Sequence, residues 1–76
     1  MPRFFFDIRR GNVVEPDRNG LHLPSAAVAR AEAARTAVEM VKDALPADSP
    51  HLAIIVRGDG GKVLFEVEAL VRISER

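Results

Sequence analysis

The chain has 76 residues, and its charge and composition exclude several classes of protein. Eleven basic and eleven acidic side chains give a formal net charge of +0, so the chain lacks the one-sided positive field that nonspecific nucleic-acid binding needs. It has no cysteine and only two histidines, which excludes disulfides and thiolate metal sites. No apolar stretch has the length of a membrane span, and the three phenylalanines at positions 4–6 are too short a run for a signal peptide. We therefore expect a cytoplasmic protein with no membrane partner.

Residues 1–76 are expected to form one small domain. A chain of this length buries only about 60% of the surface that it exposes when unfolded, so its net stability should be roughly 5 kcal/mol. Self-association is the most direct way to bury more surface, because disulfides and thiolate metal sites are excluded.

Two short strands are predicted before the helix. Residues 3–9 alternate apolar with other side chains, which is typical of a strand with one buried face. A turn at 10–12 leads to a second strand at Val13 and Val14, and residues 21–23 are expected to extend the pairing. Pro16 has no N–H to donate, so the second strand is predicted at an edge of the sheet.

One long helix is predicted over residues 26–45, with Ser25 as its N-cap and Pro46 as its end. An apolar stripe at spacings of three and four is expected to face the sheet. Beside it runs a second apolar strip, the helix flank, so the apolar surface is wider than one sheet contact needs. Either the sheet curls around the helix, or a partner contacts the flank. The stripe comprises Ala27, Ala31, Ala34, Val38, Val41 and Leu45, and the flank comprises Ala26, Ala33, Ala37, Met40 and Ala44.

A hairpin is predicted after a linker at 47–50. Residues 51–57 are nearly apolar on both faces, which indicates a central strand. A glycine-rich turn at 58–61 joins them to a fourth strand at 62–68. Residues 69–76 are compatible with a longer strand, a short helix or a frayed end, with fraying most expected from residue 70 onward.

These elements predict an α+β fold, a four-stranded mainly antiparallel sheet in β-β-α-β-β order with one long helix packed on one face. The sheet face toward the helix is predicted to carry Phe4, Phe6, Ile8, Leu52, Ile54, Val56, Val63, Phe65 and Val67. The opposite face, called the open face below, is predicted to carry Phe5, Ile55 and Leu64 among Asp7, Arg9, Arg57, Glu66 and Glu68. The sequence leaves no further element to cover it.

Two segments resemble cofactor or metal motifs, but each lacks a feature that the motif requires. Residues 57–62 are glycine-rich and end in lysine, but they lead into a strand, whereas a phosphate loop opens a helix. Residues 15–20 resemble half of a calcium loop, yet Ala26 stands where the closing carboxylate belongs. His22 and His51 have no ligand-like neighbours in sequence. We therefore expect no cofactor and no metal.

The open face contains one pair worth testing as a general acid and base. Asp7 and Glu66 would shift each other's pKa values if neighbouring strands brought them together. Arg9 and Arg57 are predicted on the same face, so cross-strand ion pairs are the favoured interpretation. A base-stacking role for Phe5 is disfavoured, because a single ring among acidic neighbours is a poor platform for RNA.

Three segments resemble a known family: PRFFFD at 2–7, DRNGLHLP at 17–24 and VRGDG at 56–60. Together with the alanine-rich helix they are similar to a family of short bacterial proteins that is described as a domain of unknown function. Gly58 departs from the family pattern, which has an acidic or other polar residue before the Asp-Gly turn. The resemblance implies a shared fold and carries no activity.

The favoured function is a non-enzymatic protein–protein interaction module that forms a homodimer or binds another protein. The residues expected at the partner contact are Phe5, Ile55, Leu64, Arg57 and Met40. The first alternative is a small enzyme or ligand binder that uses Asp7, Glu66, Arg9 and Arg57, although no small-molecule substrate is identified. The second is an antitoxin-like partner-binding domain, a fold-level analogy with proteins that pair a strand-rich start with an Ala/Glu-rich helix.

Overall fold

The computed structural model describes residues 1–45 and 50–76 and confirms the α+β class. The predicted helix end at Pro46 and the first three residues of the linker predicted at 47–50 lie outside the described residues. The elements are β1 (Arg3–Arg10), β2 (Val13–Glu15), β3 (Leu21–His22), α1 (Ala26–Ala44), β4 (His51–Arg57) and β5 (Val63–Leu70). In the part of the chain that is described, no helix is long and apolar enough to cross a membrane.

The sheet is antiparallel throughout, with strand order β2-β1-β4-β5, and β3 pairs with the other end of β1. The central position of β4 and the edge position of β2 are confirmed. Leu21 and His22 extend the pairing with β1, as predicted, because they lie opposite Phe4 and Arg3. They form a separate strand, so the sheet has one strand more than the predicted four.

Helix α1 begins where the sequence predicts. The side-chain oxygen of Ser25 accepts a hydrogen bond from the Val28 N–H at 3.2 Å, which satisfies one of the free donors of the first turn. At the other end, the N–H of Leu45 donates to the Lys42 carbonyl at 3.3 Å, so the helix ends at Ala44, one residue before the predicted end.

The predicted orientation of the helix is wrong. Val38, a member of the predicted stripe, is 62% exposed, whereas the helix residues in the core are Ala29, Ala33, Ala37 and Val41. The two stripes differ by about one residue position, or roughly 100° around the helix axis. Alanines at 29, 33 and 37 present a face without large side chains, so the helix approaches the sheet closely. The predicted helix flank is therefore mostly core and offers no separate docking surface.

The predicted partition of the sheet faces is confirmed, with one exception. Phe4, Ile54 and Val56 form the core with the helix alanines, and Phe6, Ile8, Phe65 and Val67 pack against them. Val63 is the exception. A β-bulge places Val63 opposite Arg57 and Phe65 opposite Val56, so the alternation breaks at Leu64 and Val63 is 54% exposed.

The last strand is longer than predicted. Strand β5 continues to Leu70, and residues 71–76 have no regular secondary structure. The Val71 N–H donates to the Pro50 carbonyl at 3.1 Å, which adds one more contact between the two chain segments beyond the ends of β4 and β5.

Candidate interaction surface

An ion pair between Asp7 and Arg57 lies at one end of the open face. Asp7 is only 8% exposed. Nε of Arg57 donates to its Oδ2 at 2.7 Å, and Nη2 of Arg57 donates to its Oδ1 at 3.0 Å. The two residues are diagonal neighbours on β1 and β4, because Asp7 is opposite Ile55 and Arg57 is opposite Phe5. This two-point contact fixes the guanidinium plane, which a single hydrogen bond would leave free to rotate.

Asp17 ties the turn at 16–20 to the same ion pair. Its backbone N–H donates to Oδ1 of Asp7 at 2.9 Å, and its carbonyl accepts from Nη2 of Arg57 at 3.1 Å. Its carboxylate accepts from the Phe6 N–H at 3.0 Å and from two N–H groups of its own turn, those of Asn19 and Gly20. The carboxylate therefore stabilises the turn and satisfies Phe6 N–H, in the stretch of β1 between its pairings with β2 and β3.

These contacts lower the pKa values of both carboxyl groups. The hydrogen bond from Arg57 is the main cause for Asp7, with help from the Asp17 N–H, and together they outweigh the opposite effect of burial. Burial alone would raise the pKa of Asp17, but the N–H donors of Phe6, Gly20 and Asn19 lower it overall. Both groups are thus ionised in the folded chain at neutral pH.

Phe5, a predicted partner contact, is already engaged within the chain. The guanidinium carbons of Arg3 and Arg57 lie 5.2 and 4.9 Å from its ring centroid, within the range of cation–π attraction. Gly20 adopts a φ of 72°, and a Cβ there would lie 2.9 Å from the ring. The ring is half-buried and anchors the turn at 16–20.

The disfavoured alternative, in which Asp7 and Glu66 meet as an acid and a base, does not agree with the strand order. Strand β4 lies between them, since Asp7 is opposite Ile55 and Ile55 is opposite Glu66. Glu66 instead contacts Nη2 of Arg9 at 2.6 Å, across β4. The favoured interpretation of cross-strand ion pairs is confirmed.

A second ion cluster occupies the other end of the open face. Arg9 contacts Glu68 at 3.9 Å as well as Glu66, and Nε2 of His51 lies 2.8 Å from Glu68. Ala53 stands opposite both Arg9 and Glu68, and its small side chain leaves room for the arginine to reach across. In residues 1–45 and 50–76, no three potential metal ligands are grouped together.

Large apolar side chains are exposed along β5 and just beyond it. Leu64 is 46% exposed, Leu70 is 51% exposed and Ile73 is 61% exposed. Ile55, on the neighbouring strand β4, is half-buried. Met40 packs against the core on the helix side, away from these residues. Of the five predicted partner contacts, only Ile55 and Leu64 therefore remain on the open face without a described ion pair or ring contact.

Sequence reasoning missed Asp17 as the residue that organises the turn. The signal was present in the order Asp-Arg-Asn-Gly, because an Asp side chain commonly accepts hydrogen bonds from the N–H groups two and three residues later. Its contacts with β1 are long-range and could not be inferred from a local pattern.

Comparison with known proteins identifies a family. No curated protein and no solved structure matches the chain. A family model, described as a domain of unknown function (DUF6894), matches residues 3–70, a range that includes the helix and the five strands of the described residues. The resemblance inferred from the sequence is thereby confirmed, and the chain belongs to the DUF6894 family.

Proposed function

We propose that this chain is a cytoplasmic, non-enzymatic protein–protein interaction module that forms a homodimer through the β5 side of its sheet. The observation that carries the proposal is the exposure of Leu64, Leu70 and Ile73 on or next to one strand. Exposed apolar side chains along one edge strand of a small domain are typical of a contact with another protein.

The two edges of the sheet support the same conclusion. At one edge, β2 and β3 have three and two residues, and such short strands resist pairing with another chain. At the other edge, β5 has eight residues and pairs only with β4 among the described strands. A long edge strand offers a row of backbone donors and acceptors to a second chain.

The ligand-binding alternative has less support. Asp7 and Arg57 are engaged with each other, and Arg9 and Glu66 form a separate ion pair. A substrate would have to break charge-assisted hydrogen bonds at either place before it gained any. An antitoxin-like role would place a different protein on the β5 side, which the experiment below distinguishes from a second copy.

Sedimentation velocity over a range of micromolar concentrations tests the proposal. We expect a concentration-dependent dimer that Leu70→Glu weakens, because a carboxylate would be buried at the contact. Val38→Glu is the matched control, since Val38 is also an exposed apolar residue but lies on the helix. A wild-type chain that stays monomeric throughout would overturn the homodimer. Equal weakening by both variants would overturn the assignment to the β5 side.

A further inference from the structure

The alternating pattern of β5 continues beyond its last residue. Phe65, Val67, Ala69 and Val71 are partly buried, whereas the residues between and after them, Glu66, Glu68, Leu70 and Arg72, are exposed. The hydrogen bond from the Val71 N–H to Pro50 extends the contact with the chain segment before β4. Ile73 falls in the same phase as Val71 but is 61% exposed, so the described chain gives it little to pack against.

We propose that two copies pair through the outer edges of β5, antiparallel and about a twofold axis at Ala69. This inference rests on the proposed homodimer and specifies its geometry. The paired segment is residues 65–73, in which residue 69 faces itself and residue 66 faces residue 72. Such a contact joins the two sheets into one continuous sheet with both helices on the same side.

Charge excludes two neighbouring registers and the β-bulge excludes a third. With the axis at Ala69, Glu66 of each copy faces the partner's Arg72, which gives two opposite-charge pairs. An axis at Val67 would place Glu66 opposite the partner's Glu68, and an axis at Glu68 would place that carboxylate opposite its own copy. An axis at Phe65 would bring the β-bulge at Leu64 into the paired segment. An axis at Leu70 would also pair opposite charges, Glu68 with the partner's Arg72, but it would place Ile73 opposite the partner's Val67 and away from the groove that Phe65 borders.

Apolar contacts agree with the register that has its axis at Ala69. It places Ile73 opposite the partner's Phe65 and Val71 opposite the partner's Val67. Phe65 borders a groove of about 220 Å³ on the helix side of the sheet, and the start of α1 forms the rest of that groove. By alternation Ile73 points to the same side as Phe65, so the partner's Ile73 would enter this groove. The remaining lining residues are Ala26, Ala27 and Arg30.

Two charge reversals test the register when they are mixed. Arg72→Glu alone would place a carboxylate opposite a carboxylate in both cross-strand pairs, and Glu66→Arg alone would place a guanidinium opposite a guanidinium in both. We expect each variant alone to associate about tenfold more weakly than the wild type. An equimolar mixture should recover a heterodimer, because each of its two cross-strand pairs then joins one carboxylate of the Arg72→Glu chain to one guanidinium of the Glu66→Arg chain. Circular dichroism of each variant verifies that it is folded.

Single cysteines give a second readout, since the chain has none of its own. Facing residues in an antiparallel pair have Cα atoms about 4.5–5.5 Å apart, a distance that a disulfide spans. Ala69→Cys should therefore cross-link with its own copy under mild oxidation. Val67→Cys, on the same face of the same strand, should not cross-link. Position 67 faces position 71 of the partner, so the two introduced cysteines are about four residues, or roughly 13 Å, apart along the strand.

The outcomes separate this geometry from the proposed function. A dimer that cross-links at position 69, with recovery in the charge-reversed mixture, supports both. A dimer that cross-links at position 67, or at neither position, overturns the register and leaves the homodimer standing. A chain that is monomeric at every concentration overturns both.

Discussion

Asp7→Asn is the substitution that most sharply tests the ion pair on the open face. Asp7 is 8% exposed and accepts two hydrogen bonds from Arg57 and one from the Asp17 N–H. Asparagine has nearly the same shape but only one acceptor oxygen. If that oxygen takes the place of Oδ1, the side-chain amide faces Nε of Arg57, and two donors oppose each other.

The expected loss is about 2 kcal/mol, because a hydrogen bond between charged groups contributes roughly 1.5–3 kcal/mol. That is a large share of the roughly 5 kcal/mol expected for a domain of this size. The midpoint of thermal unfolding should fall by about 8–16 °C, since each kcal/mol corresponds to roughly 4–8 °C in a small domain.

Urea unfolding followed by circular dichroism measures the loss, with Glu66→Gln as the matched control. Glu66 also contacts an arginine across strands, at 2.6 Å, but its side chain is 41% exposed. Its removal should change the free energy of unfolding by less than about 1 kcal/mol. Equal effects of the two substitutions, or no effect of Asp7→Asn, would refute the claim that burial makes the Asp7 contact the stronger one.

Folding lowers the pKa of Asp7 from its ordinary value of 3.8. The ionised carboxylate therefore stabilises the fold above pH 3.8, and this contribution is lost as the pH falls through the pKa of the folded chain. Between about pH 5 and pH 2, the free energy of unfolding in urea should depend less on pH in Asp7→Asn than in the wild type. Gly20→Ala should destabilise the fold by about 2 kcal/mol or more and Gly11→Ala by about 1 kcal/mol. Both glycines have a positive φ, but only at Gly20 would a Cβ meet other atoms. Equal decreases in the midpoint of thermal unfolding would contradict this. Val41→Ala should cost about 1–3 kcal/mol in urea unfolding and Val38→Ala almost nothing. Losses of similar size at both positions would restore the helix face predicted from the sequence, which includes both side chains.

The strands and turns were predictable because their signals are local. Alternation in residues 3–9 and 51–57 identified β1 and β4 and assigned their faces correctly. The N-cap at Ser25 marked the start of the helix to the residue. Each of these signals depends on side chains within one turn or one strand, so no knowledge of the tertiary arrangement was required.

The face of the helix was not predictable from periodicity. Alanine occurs on both the predicted stripe and the buried one, so apolar spacing alone does not distinguish them. The choice is made by packing, because Ala29, Ala33 and Ala37 let the helix lie closer to the sheet than Val38 would.

The misplacement of Val63 and the separation of Asp7 from Glu66 also have tertiary causes. One extra residue at the β-bulge moves Val63 off the helix side, and no local pattern distinguished it from regular alternation. Whether Asp7 and Glu66 meet depends on strand order, and β4 separates them. The candidate contact on β5 was partly predictable, since Leu64 was expected on the open face, but the exposure of Leu70 and Ile73 required the structure.

Native mass spectrometry of the unmodified chain at micromolar concentration would show whether the protein associates with itself. We expect a dominant species at twice the 8.3 kDa mass of one chain, with no additional mass from a retained ligand. A spectrum with the single-chain species alone would contradict this.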